Sequence, residues 1–448
     1  MYTKQEIKRQ SNCSDSPLDK LVENGTNFTQ AHIPGATCGG VCLPSRAMLH
    51  TGKTLFHLQK NGSYIPEEHT LMGEVLQKEG YETYGVGKWH NGTQSYARSF
   101  TDGDEIMFGG MADHWNVPIC DFDPDGNYEE ALSYIIDDPF TNNEVRERYC
   151  EDVHPGKHSS ELFCETSAEW LRNYDQENPF FMYISFMAPH DPRSMPEEFL
   201  NMYDPDDIEL PENFREKPPF EFLDIDQRRD ESLATYPRQP EEIKKHIAEY
   251  YAMITHLDHE MGKVIETLKE TGEYENTIII FAGDNGLAVG QHGLVGKQNL
   301  YDHSIRVPLV FSGPGIPAGE ERDSYVYLLD IFPTICDFIG SEIPDSVEGI
   351  SMFEVIQNEN QSIRDTLYLA YEDLIRGVKS DGYKLLKYRK NGRYNELFNL
   401  NNDPYEIDNL YHEPQYEDKI KELENKLLKK KKEWDDEKHM RGESYWNE

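Results

Sequence analysis

The chain has no long hydrophobic run, few cysteines and little positive charge, and each shortage removes a class of function. No stretch of roughly 18 apolar residues occurs, so no segment is expected to span a membrane. The opening residues MYTKQEIKRQSNCSDS lack the apolar core of a signal peptide, which makes the expected location cytoplasmic. Cys13, Cys38, Cys42, Cys120, Cys150, Cys164 and Cys336 are too scattered for a disulfide framework and fit a reducing compartment. Lys and Arg number 44 against 83 Asp and Glu, a formal charge of -39. Nucleic-acid backbones and anionic membranes need a basic face, so neither is an expected partner. An anionic substrate would have to be held by a local knot of cations or by a metal ion.

What is present is a chain able to fold. With 37% hydrophobic residues, 27 Tyr and 20 Phe among 448, the 448 residues should build a large core. Short apolar runs alternate with helical patterns, which predicts an α/β fold: a large, mixed but mostly parallel sheet flanked by helices. The strand candidates are ETYGVGKWHNG (82–92), breaking at Gly87, PFFMYISFMAPHDP (179–192), NTIIIFAGDNG (276–286) and RVPLVFSGPGIP (306–317). Residues 240–272 read as one helix with Gly272 at its C-cap, and residues 200–239, rich in Pro and acids, as an excursion over the surface. Residues 365–400 read as strands joined by Asp-Gly and Asn-Gly hairpin turns, followed by a helix over 416–436. The division expected is a catalytic domain over 1–360 and a smaller antiparallel α+β subdomain over 361–448.

Three strands end in polar residues: Lys88 and His90, then His190, then Asp284 and Asn285. Ligands of open α/β sheets sit beyond the carboxyl ends of strands, so these residues are placed to converge. The stretch VCLPSRAMLHTGK (41–53) joins them, with Pro44 near the first turn and Gly52 after the last turn of a short helix. Its N-terminus offers N–H groups to an anion, Arg46 adds a fork of donors, and Lys297 follows the Asp-Asn loop closely enough to fold back. Asp with Asn suits a hard cation, Ca²⁺ or Mg²⁺. A thiol at a helix start has four readings: a lowered-pKa nucleophile, half of a disulfide with Cys38, a metal ligand, or raw material for something else.

These motifs make the chain resemble the type I, formylglycine-dependent sulfatases of the alkaline-phosphatase-like superfamily. The likeness runs through SPLDKLVENGTNFTQAHI, CLPSRAMLHTGK, GVGKWH, MAPHDP and AGDNGLAVGQHGLVGK to RGVKSDGYKLLKYRKNGRYNELFNLNNDPYEIDNL. It implies that Cys42 is oxidised to formylglycine by a separate maturation enzyme, a formylglycine-generating or anaerobic sulfatase-maturating one, which reads the C-x-P-x-R core. The implied activity is hydrolysis of a sulfate monoester, on a sulfated small molecule or carbohydrate. It further implies that Asp284, Asn285 and the oxygen on residue 42 hold the metal and that Arg46 and Lys88 steady the hydrate. His90 is then the base that expels sulfate, and His190 with Lys297 grip the sulfate and assist the leaving oxygen.

One departure stands out. Members of the family begin with a strand carrying an Asp-Asp pair that supplies metal ligands, and MYTKQEIKRQSNCSDS contains neither. The expectation is a sequence that starts late, the alternative a paralogue with an impaired metal site that binds sulfated glycans without turnover. A phosphonate or phosphodiester hydrolase of the same superfamily is the enzymatic alternative. Among other candidates, His256 and His259 read as packing or solvated residues, His154 and His158 as the lead into a helix, His292 as part of a turn, and the KKKK run at 429–432 as a solvated face.

Overall fold

Ser16 opens the described fold by accepting the Asp19 amide ahead of α1 (Pro17–Glu23), with Pro17 in the first helical turn. The computed structural model describes residues 16–128, 132–136, 145–175, 177–219, 228–389 and 394–447. After α1 come β1 (Gly25–Phe28), α2 (Cys42–Thr51), β2 (Glu82–Trp89) and β3 (Asp102–Phe108). They are followed by α3 (Ser159–Asn173), β4 (Phe180–Ser185), α4 (Pro240–Glu270) and β5 (Ile279–Ala282). Next are β6 (Leu309–Ser312), β7 (Glu320–Arg322) and α5 (Ile331–Ile339). No helix among the described residues is long and apolar enough to cross a membrane.

The α/β architecture is as expected, with its central strands in two sheets. One runs β4-β2-β3 and is parallel throughout; the other runs β5-β6-β1-β7 and is mixed, β6 lying antiparallel to both β5 and β1. α4 starts with Pro240 and two glutamates, buries Ile243, Ile247, Tyr251 and Val264 along one stripe, and stops at Thr271; Gly272, φ 83°, is the residue after the cap. β2 does not break at Gly87. The strand runs on to Trp89 through a register shift at Val86/Gly87, because glycine there can take φ 87°. A Cβ at this position would lie 2.2 Å from the Ser185 carbonyl.

The C-terminal strands β8 (Thr366–Tyr371), β9 (Ile375–Ser380), β10 (Tyr383–Tyr388) and β11 (Asn395–Asn399) form an antiparallel meander, extended by the two-residue strand Gly35–Ala36. Asp381 and Gly382 turn β9 into β10 with positive φ at both positions, the signature of a type I′ hairpin. The Asn-Gly pair at 391–392 lies outside the described residues. α6 (Glu417–Glu433) covers this sheet, and α7 (Met440–Trp446) follows. Between them Asp436 accepts Arg376 Nε (2.7 Å) and the Tyr368 hydroxyl (2.6 Å) with no solvent contact at either end of the ion pair. One apolar cluster runs from Phe28, Met48, Leu309 and Phe332 into Leu367, Leu385 and Leu423, so the meander packs on the same core as the larger sheets.

Part of residues 200–239 is not the surface excursion expected. Asp230, Glu231 and Arg238 are buried, and the Glu231 carboxylate accepts the backbone N–H groups of Val295 (3.1 Å) and Gly296 (3.0 Å). Asp230 and Glu231, two of the acids that made the segment look solvated, are engaged with arginine and, for Glu231, with backbone as well.

Glu396 on β11 takes hydrogen bonds from the hydroxyls of Tyr301 (2.8 Å), Tyr388 (2.7 Å) and Tyr394 (3.2 Å). Burial outweighs these bonds and pushes its carboxyl up to about 7. The folded state therefore keeps a proton that the unfolded chain has released, and stability from this group falls as pH rises from about 4.5 through about 7. Glu396→Gln is expected to flatten a slope that reaches roughly 1.4 kcal/mol per pH unit. Urea unfolding across that window measures it.

Candidate functional site

α2 is the centre of the site. Gly52 ends it in the left-handed conformation at φ 63°, and no side chain caps its start among the described residues, which leaves the positive end of the helix to the site. Cys42 sits at that end, 4% exposed. Its Sγ lies 3.5 Å from His90 Nδ1 and 3.8 Å from Lys88 Nζ. Burial alone would raise the thiol; Lys88, Lys297 and His90 overcome it and bring the pKa down to about 5. Cys38 is a free thiol, which removes the disulfide reading.

One turn further on, Arg46 reaches across the ends of two strands. Its Nε donates to Asp284 Oδ2 at 2.7 Å, and Nη1 donates to the Ser185 hydroxyl and, at 3.3 Å, to the Lys88 carbonyl. Ser185 in turn donates to the same carbonyl at 2.6 Å. Burial would push the Asp284 carboxyl up, but Arg46, Lys88 and Lys297 hold it at about 2, so it stays ionised. Burial acts against the charge of Lys297 as well; Cys42, Asp230, Asp284 and Asp191 outweigh it and keep the ammonium above its ordinary pKa. The structure thus gathers Cys42, Arg46, Lys88, His90, Asp284 and Lys297 from four separate segments.

His190 follows β4 and its Nδ1–H donates to the Asp191 carbonyl at 2.9 Å. A carbonyl only accepts, so the neutral ring carries its proton on Nδ1 and its lone pair on Nε2. Burial first, then Lys297 and Lys88, hold its pKa well below the ordinary value. His114 Nε2 donates to the His190 carbonyl (3.0 Å) and its Nδ1 meets the Ser159 hydroxyl (2.8 Å), which fixes the backbone beneath the ring. His292 is elsewhere: it stacks on Tyr301 at 3.9 Å and meets Asn213. His158 caps α3, accepting the Ser160 amide, and His256 packs between His158 and Phe199.

Asn285 donates to the Gly286 carbonyl (2.9 Å), while its Oδ1 is buried with no hydrogen-bond partner. An orphaned amide oxygen beside an ionised carboxylate is a pair of hard donors that fits a divalent cation, as part of the six to eight oxygens such an ion takes. Among the described residues no group of three His, Cys, Asp or Glu stands together as a metal site.

The sulfatase family model matches residues 13–341, which is most of the chain. The chain belongs to the sulfatase family. A second model, for the C-terminal region of N-sulphoglucosamine sulphohydrolase, matches residues 290–433 of this sulfatase. It is 29% identical to an arylsulfatase of Clostridium perfringens over 92% of this chain and 88% of that one. It is 30% identical to an ulvan-active sulfatase of Formosa agariphila over 94% of this chain and 76% of that one. A structure solved with its substrate, D-glucosamine-2-N,6-O-disulfate, superposes with a TM-score of 0.70 at 21% identity, covering 95% of this chain and 94% of the other. The resemblance read from the motifs and the α/β fold class are both upheld by these matches. The family implies formylglycine and a divalent metal.

Sequence reasoning missed Ser185, Asp230 and Glu231. Ser185 is the last residue of an apolar strand run, and nothing in its spacing sets it apart. Asp230 accepts Gln298 Nε2 at 2.8 Å and faces Lys297, while Glu231 holds the loop before Lys297; both were hidden in an acid-rich segment that read as loop.

Breaking one partner of a buried ion pair leaves an uncompensated charge. Asp284→Leu, which takes a shared carboxylate from Arg46, Lys88 and Lys297, is expected to lower stability by about 3–5 kcal/mol, and adding Arg46→Met to restore part of the loss. Urea unfolding of the single and double variants checks this.

Proposed function

We propose that this sulfatase hydrolyses a carbohydrate sulfate monoester, with residue 42 acting as formylglycine. The observation that carries the reading is the delivery of Cys42, at a helix start, into contact with His90 and Lys88 beside the Arg46–Asp284 pair. The C-x-P-x-R core at Cys42, Pro44 and Arg46 is what a formylglycine-generating or anaerobic maturating enzyme would read. As the aldehyde hydrate, residue 42 would supply one oxygen to attack sulfur and a second hydroxyl whose ionisation releases sulfate. Asp284, Asn285 and that oxygen would hold the cation, Ca²⁺ by preference, which would draw charge from the sulfate oxygens.

The chain's own residues then divide the remaining work. Arg46 holds Asp284 in place and Lys88 places positive charge at the reacting atom. His90, 3.5 Å from the position of Sγ, is the base that takes a proton from the residue 42 hydroxyl. Lys297 keeps its proton and donates to the sulfate and to the leaving sugar oxygen. His190 presents Nε2 to the same region, and the charge of a bound sulfate lets it take a second proton and share the leaving oxygen with Lys297. Residues 1–360 would form the catalytic domain and 361–448 the subdomain that bounds the sugar site.

Two measurements test the reading. After expression with a maturation enzyme, the peptide containing Cys42 is expected to carry an aldehyde that a hydrazine traps, and the protein to turn over 4-nitrophenyl sulfate well ahead of 4-nitrophenyl phosphate. An unmodified thiol, or a preference for phosphate, overturns it. A general acid contributes about 10²–10⁴-fold, and nitrophenolate leaves without one. Lys297→Ala should therefore slow a sugar sulfate far more than 4-nitrophenyl sulfate.

A further inference from the structure

The cysteines are scattered along the chain, but the fold sets two of them face to face. The two-residue strands Pro118–Ile119 and Asp152–Val153 pair antiparallel, with Ile119 opposite Asp152. Next to Ile119, Cys120 exchanges both of its backbone hydrogen bonds with Ile106 of β3, at 2.9 Å each. Its N–H and C=O are thereby committed to one side, and neither is turned toward residues 150–152. On that second side the Glu151 amide donates to the Ile119 carbonyl at 2.8 Å. This bond falls one residue early for the Ile119–Asp152 register, so Glu151 and Asp152 together oppose Ile119 as a β-bulge, and Cys150 comes opposite Cys120.

Residues that face each other across an antiparallel pair with no backbone bond between them stand about 4.5 Å apart at Cα. A disulfide spans roughly 4.4–6.8 Å between Cα atoms. Just beyond the two cysteines, the Asp121 amide donates to Glu151 Oε2 at 2.7 Å and ties the segments together again. Both thiols are free in this structure. Cys120 is fully buried in an apolar cluster with Trp89, Ile106, Phe108 and Tyr128. Cys150 is half-buried, and its thiol donates to the Asp152 carbonyl at 3.3 Å. Burial, then Glu151, pushes the Cys120 thiol up to about 12, and burial with Asp152 and Glu151 raises Cys150 as well. What marks the pair is therefore its register and its unequal access to solvent.

We propose that Cys120 and Cys150 are a redox pair, which a small-molecule disulfide converts into a cross-strand disulfide. Cys150, the thiol that solvent reaches, attacks one sulfur of the reagent, breaks its S–S bond and releases one half as a thiol. Cys120 then attacks the Cys150 sulfur and releases the other half. The two protein thiols lose two electrons to the reagent disulfide, and their two protons end on the two thiols released. The new bond closes residues 121–149 into a loop and clamps the Cys120–Ile106 bridge, one strand away from Gly87 and Lys88 on β2. The inference rests on strand register and is independent of the sulfatase chemistry.

The test uses the whole chain, kept from any maturation enzyme, and cystamine, a disulfide whose amines suit the acids Glu151 and Asp152 beside Cys150. Tryptic digestion without reduction, read by mass spectrometry, is expected to give the Cys120 peptide linked to the Cys150 peptide, and dithiothreitol to release it. In Cys150→Ser, Cys120 should stay unmodified, since its burial keeps the reagent out. In the linked protein the amides of Ile106 and Cys120 are expected to exchange about a hundredfold more slowly, and reduction to restore their rates. Absence of the link, a link that forms only after unfolding in urea, a cystamine adduct on Cys120 in Cys150→Ser, or exchange at Ile106 and Cys120 that does not slow overturns the proposal.

Discussion

The ion pair between Arg46 and Asp284 is the constraint on which the site depends. It joins the first turns of α2 to the end of β5, and through Ser185 to the end of β4, so one planar group sets the spacing of three elements that no backbone hydrogen bond connects. A lysine could not do this, since its single ammonium has no fork to span a carboxylate and a hydroxyl at once. The pair also keeps Asp284 ionised in a protein interior, which makes a hard oxygen donor available beside the orphaned Asn285 oxygen.

Around that pair the acidic excess of the whole molecule gives way to a local gathering of cations. The chain carries -39 overall, yet Arg46, Lys88 and Lys297 converge on Cys42, with Asp284, Asp230 and Asp191 set against them. The acids behind Lys297 sustain these cations, and together with the positive end of α2 they are complementary to an oxyanion. The acidic exterior serves solubility; selectivity for an anion is local.

Much of this was legible in the sequence because the strand-end motifs are short and chemically unusual. Lys88 and His90, Asp284 and Asn285, and the Cys42–Arg46 turn each announce themselves beside an apolar run, and the rule that ligands gather at carboxyl ends of strands brings them together. Gly87 misled because glycine signals both a break and a bulge, and only the close approach of the Ser185 carbonyl decides between them. Residues 228–238 misled for a different reason: a buried carboxylate that bonds to backbone amides has the same composition as a solvated loop. The split of the central strands into two sheets was also invisible, because pairing partners are long-range facts that periodicity does not encode.

The burial of Cys42 and Pro44 in the closed first turn of α2 sets an order of events. An enzyme that must grip C-x-P-x-R as a strand or loop cannot find it once Arg46 has locked between the two sheets. On the proposed reading, conversion of that thiol would belong to the interval between synthesis and closure of the interior, and the rate at which the chain folds would set the time available for it.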